Sequence, residues 1–136
     1  MVSLKAHAGL VTVLALVQWL GGIYLFYLIR VVNALPEAAQ LIPLHTLIAV
    51  VFFIALTALL LRSAKLGAGK IVAIPLILTI IQGIVGIVIL LVINKVLQIS
   101  LESITILGLY IHHPLGWLVM LTTLYATFKL TRGGRI

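Results

Sequence analysis

The chain has 136 residues, 64% of them apolar and only 8% charged, and its mean hydropathy is +1.38. An ordinary soluble domain is about half apolar and about a quarter charged, so a water-soluble fold could not hide this much apolar surface and the solvent must be lipid. The net charge of +7 comes from basic residues at segment ends, a membrane pattern and not a nucleic-acid one. The absence of cysteine excludes disulfides, thiolate metal sites and c-type haem attachment.

A bilayer crossing needs about 20 apolar residues, and four stretches qualify: 8–29, 41–61, 71–93 and 104–130. The first is too long for a leader and has no small-x-small cleavage site after it, so it is expected to be a span. The first joint carries Asn33, Pro36 and Glu37. The second carries Arg62, Ser63, Lys65, Gly67, Gly69 and Lys70, and the third Asn94, Lys95, Gln98, Ser100 and Glu102. None leaves room for a soluble domain. The expectation is an all-α integral membrane protein, a single four-transmembrane-helix domain over 1–136. Lys5, Arg62, Lys65, Lys70, Lys129, Arg132 and Arg135 fall on one side of such a topology, and Arg30 and Lys95 on the other. Lys and Arg concentrate on the cytoplasmic side of membrane proteins. This bias predicts a multi-pass protein of the cell membrane with both termini cytoplasmic.

The second half echoes the first. Gln18-Trp19-Leu20-Gly21-Gly22-Ile23 aligns with Gln82-Gly83-Ile84-Val85-Gly86-Ile87 at an offset of 64. Arg30 then falls on Asn94, beside Lys95. In the even-numbered spans Leu44-His45 resembles Ile111-His112, each His being followed four residues later by a small residue, Ala49 or Gly116. Two repeated helical hairpins, over 1–66 and 67–136, would be related by an axis along the membrane normal.

Polar side chains inside a bilayer are costly and usually face the bundle interior. Arg62 follows His45 by 17 residues and Lys129 follows His112 by 17, which puts both histidines roughly 25 Å from the basic end of their helices. Two imidazoles at one depth, facing each other across a repeat axis, suit a six-coordinate haem iron. Ala49 and Gly116 share a face with the respective histidines and would leave room for the macrocycle. The outward cations Arg30 and Lys95 would suit its propionates, or serve as ordinary snorkelling residues. His113 is the alternative to His112, because neighbours on a helix point about 100° apart and only one can face the iron. His7 has no repeat partner, so one haem per chain is expected. A zinc or copper centre would want three or four donors, and no acid lies near either His in sequence. The plainer alternative is that the imidazoles only bond neighbouring helices. Gln18 and Gln82 are expected near the midplane, bonding each other or a backbone group, with a haem-edge or substrate contact as the alternative.

On His45-Thr46-Leu47-Ile48-Ala49, Gln82-Gly83-Ile84-Val85-Gly86-Ile87-Val88 and, more loosely, Gly21-Gly22-Ile23-Tyr24 through Arg30, the chain resembles one half of the haem A synthase family. That family has two similar four-helix halves, with a His on the second and fourth helix of each, and oxidises a methyl group of haem O. The resemblance implies His45 and His112 as ligands of haem b, O or A. It implies oxidase components as partners, and a homodimer as the way a half-length chain would match a full-length one. It implies a role in haem O and haem A metabolism or oxidase assembly, as an oxidoreductase of that type, but supports the reaction less than the ligands: where the family has a Glu three residues before the second-helix His, this chain has Ile42, with Leu109 at the matching place before His112. The family's paired loop cysteines are absent too. A b-type cytochrome, passing electrons from quinol on the outer side without modifying the haem, is the alternative function.

Overall fold

The computed structural model describes residues 3–132, except the side chains of Leu35, Leu101 and Glu102; Arg135 lies outside the described residues. The described chain is all-helical. Helix α1 spans Leu4–Arg30, α2 Leu35–Ala64, α3 Gly69–Ile93, α4 Leu101–Ile106 and α5 His113–Arg132, with a π-helical segment, Leu107–His112, joining the last two. Counting that continuous last segment once, four helices are long and apolar enough to cross a membrane. Leu20, Leu47, Ile54, Ile84 and Leu121 are among many large apolar side chains left exposed on them, a surface suited to a lipid bilayer.

Local chemistry sets the helix ends. Ser3 caps α1, its hydroxyl accepting from the Ala6 N–H at 3.1 Å, and Ser100 caps α4 by accepting from Ser103 at 3.2 Å. Pro36 and Glu37, expected in a joint, belong to the first turn of α2. A proline costs nothing there because its missing N–H would have no helical partner, and an acid favours the positive end of the helix dipole. α2 stops in a Schellman turn: Gly67 adopts φ 76°, and the Ala68 N–H donates to the Ser63 carbonyl at 2.9 Å. α3 ends the same way with Lys95, φ 60°, where the Val96 N–H reaches the Leu91 carbonyl at 2.8 Å.

The π segment has an identifiable cause. Pro114 cannot donate a backbone hydrogen bond, and its ring crowds the carbonyl four residues earlier, at Tyr110. The turn before it widens, and the His113 N–H donates to Gly108, five residues back.

In cross-section α1 packs against α2 and α5, and α3 packs against the same two helices. α2 and α5, the helices that carry or abut His45 and His112, therefore stand diagonally opposite. Packing is uneven along the bundle. The main core lies toward the end that bears the termini and is built from Val11, Phe52, Leu56, Leu59, Val72, Val119 and their neighbours on all four long helices. Toward the other end the buried cluster thins to Leu25, Leu28 and Ala38, from α1 and α2 alone. An apolar cavity of about 230 Å³ opens there between α3, α4 and the π segment, lined by Val88, Val92, Ile99, Ser103, Ile104 and Leu107.

Candidate functional site

Each hairpin carries a Gln–His contact. Gln18 on α1 meets His45 on α2, with Nε2 to Nε2 at 2.9 Å. Gln82 on α3 meets His112, the last residue of the π segment, through the same atoms at 3.3 Å. The glutamines thus bond neither each other nor a backbone group, contrary to the sequence expectation; they bond the histidines. Nothing in the sequence says which helix each Gln faces until the order α1–α2–α3–α5 around the bundle is known.

Glycine notches hold the imidazoles. A Cβ on Gly21 would lie 3.3 Å from His45 Nδ1, and one on Gly22 would lie 3.5 Å from its Cε1. A Cβ on Gly86 would lie 3.3 Å from His112 Cε1 and 3.9 Å from its Nδ1. Small residues let helices and side chains approach closely where no water can fill a gap. The notch residues sit on α1 and α3; Ala49 and Gly116, expected to leave room for a macrocycle, are on the histidines' side of each pair. Gly116 makes space for the Gln82 amide, since a Cβ there would lie 3.4 Å from its Nε2, and Ala49 is half-buried one turn below His45. The signal for the notches was visible: Gln18 is followed four residues on by Gly22, and Gln82 by Gly86.

His113 points elsewhere. Its ring meets Phe26 of α1 edge-on, at 4.6 Å between centroids, while His112 faces α3. Trp19 and Trp117 make a second edge-to-face pair at 4.4 Å. Arg30 and Lys95 are both exposed, at the ends of α1 and α3 remote from the termini. His7, which the sequence left without a partner, clasps α1 to α2. Its Nε2–H donates to the Ala55 carbonyl at 3.0 Å, and its Nδ1 accepts from Arg62 Nη1 at 3.0 Å.

Among the described residues, the buried side-chain polar atoms without a hydrogen-bond partner are Gln18 Oε1, Trp19 Nε1, His45 Nδ1, Gln82 Oε1 and His112 Nδ1. They belong to the two Gln–His pairs and the tryptophan beside one of them. Unmet polar groups in a bilayer cost on the order of several kcal/mol each, so their concentration here marks this layer as the part of the bundle not optimised for packing alone. No cluster of three or more His, Asp or Glu occurs among the described residues, so the donors at hand are two imidazoles and two carboxamides.

Comparison with known proteins returns no match to a family model, to a curated protein or to a solved structure.

Proposed function

We propose that this chain is a membrane haem protein, similar to one half of haem A synthase, with one haem held between His45 and His112. The observation that carries the reading is the polar layer. Two imidazoles on opposite sides of the bundle, each set against a glycine notch with its Nε2 held by an uncharged amide, lie in the layer where the unmet buried polar atoms concentrate. The donor chemistry fits: neutral imidazoles are strong-field haem ligands, and the nitrogens that have partners are met by uncharged amides, which bind weakly enough to yield. Bound there, haem would supply a one-electron couple within the membrane.

The two Gln–His–Gly units, Gln18–His45–Gly22 and Gln82–His112–Gly86, support duplication of an ancestral hairpin. Seven basic residues against two support cytoplasmic termini, with the site in the outer leaflet and Arg30 and Lys95 at the outer surface for the propionates. A maleimide that cannot cross the membrane should label a Glu37→Cys variant from outside; labelling only from the cytoplasm would overturn the orientation.

The ligands are tested by spectroscopy. With His45 and His112 axial, the reduced protein shows a low-spin six-coordinate spectrum, and His45→Ala or His112→Ala makes it five-coordinate and high-spin or removes the haem. His113→Ala leaves it nearly unchanged. If His113→Ala removes the low-spin signal and His112→Ala does not, the ligand is His113. Haem O or A in the protein favours a synthase-type reaction or oxidase assembly; haem b with a quinol-reducible spectrum favours electron transfer. A second reading, in which the histidines only tie helices together, is favoured by the two Gln–His bonds, and on it no variant has a haem spectrum to change.

A further inference from the structure

Resting on the bis-histidine haem reading, we infer that Gln18 and Gln82 compete with iron for Nε2 of His45 and His112, so that these two glutamines control access to the ligand pair. Nδ1 of His45 is walled in by the α1 backbone, since even a methyl group on Gly21 would come within 3.3 Å of it. The His112 ring also rests on α3, where the same addition at Gly86 would approach Cε1 to 3.3 Å and Nδ1 to 3.9 Å. His45 Nδ1 therefore has no room for a macrocycle beside α1, and His112 Nδ1 lies within van der Waals range of the α3 surface, while neither Nε2 is approached by a glycine. Nε2 is therefore the nitrogen each ring can give to iron, and it is the nitrogen each glutamine holds.

The two uses exclude each other. If the amide N–H donates to Nε2, it occupies the one lone pair that nitrogen has. If Nε2–H donates to the amide oxygen in the other orientation, that proton must leave before the nitrogen can coordinate. Ligation thus requires both glutamines to release their histidines. The bonds are unequal: Gln18 holds His45 at 2.9 Å, and Gln82 holds His112 at 3.3 Å. A shorter bond is harder to give up, so His112 is the ligand freed more easily.

Neutral interhelical hydrogen bonds in membranes are weak, and losing one competitor should raise apparent affinity by about 3- to 10-fold. The experiment is an absorbance titration of the full chain in detergent micelles with haemin, comparing wild type, Gln18→Leu, Gln82→Leu and the double variant. Each single variant should bind more tightly while keeping a low-spin spectrum. The gain should be larger for Gln18→Leu, and the double variant should approach the product of the two. Gln18→Met and Gln82→Met, which remove the amide but keep an unbranched chain, should reproduce the gains and guard against a packing failure specific to Leu. Weaker or unchanged haemin binding in both series overturns the competition and leaves the haem reading standing. A low-spin complex in neither wild type nor the double variant overturns the haem reading and the competition with it. A low-spin complex in the double variant alone supports both.

Discussion

Toward the end of the bundle that carries the termini, buried polar groups are met. Ser63 is fully buried and donates to the Leu60 carbonyl at 3.0 Å. Thr123 donates to Val119 at 2.7 Å. Thr12 reaches across to Thr127 at 2.7 Å, and His7 uses both ring nitrogens. In the Gln–His layer the reverse holds: each imidazole has one partner and one orphaned nitrogen, and both amide oxygens go unmet. The same residue type, histidine, is structural in the first region and incompletely satisfied in the second. The difference lies in what surrounds it. His7 sits against a dense four-helix core with a carbonyl and a guanidinium in reach, whereas His45 and His112 sit in glycine notches beyond that core.

The contrast can be broken first at the core. Leu56→Ala removes a fully buried side chain and should cost about 2–4 kcal/mol of unfolding free energy in a reversible SDS titration, against less than about 0.5 kcal/mol for Ile84→Ala on the lipid-facing surface. A cost at Leu56 no larger than that at Ile84 would show that the termini end is not the packed half.

Two nearby glycines on α3 give a sharper comparison. Gly86 lies under the His112 ring, while a Cβ on Gly83 would meet nothing within 4 Å. Gly86→Val should cost about 1–3 kcal/mol by overpacking and displace the imidazole, while Gly83→Val should be close to neutral. Equal effects would mean that the notch does not hold His112. Smaller again is Gly67→Ala, about 1 kcal/mol, because φ 76° is costly for a residue with a Cβ. Smallest is Thr12→Val, about 0.6 kcal/mol, because it removes one interhelical hydroxyl bond and keeps the shape.

The spans were legible in the sequence because lipid admits few solutions: long apolar runs between polar joints must be helices. The ends were less so: Pro36 and Glu37 read as part of a joint, because turns and helix starts draw on the same residue types. The π segment was not legible at all; Pro114 announces a disturbance but not whether the helix kinks, breaks or widens. In the site, the histidines and glutamines could be singled out as polar groups in apolar runs, but their pairing could not. It depends on α1 lying beside α2 and α3 beside the π segment. For the same reason the sequence did not show that Gly21, Gly22 and Gly86 on neighbouring helices lie against the imidazole rings. The partners of His7, Ala55 and Arg62, are about 50 residues distant in sequence and carry no local signature.

The most direct test of the bis-histidine reading is the cofactor content of the purified wild-type protein by pyridine haemochrome, set against protein concentration. One haem per chain with a low-spin six-coordinate spectrum is the predicted result. Two per chain would require ligands beyond His45 and His112, and no haem, even after expression with haemin supplied, would contradict the reading and leave the two Gln–His pairs as fastenings between helices.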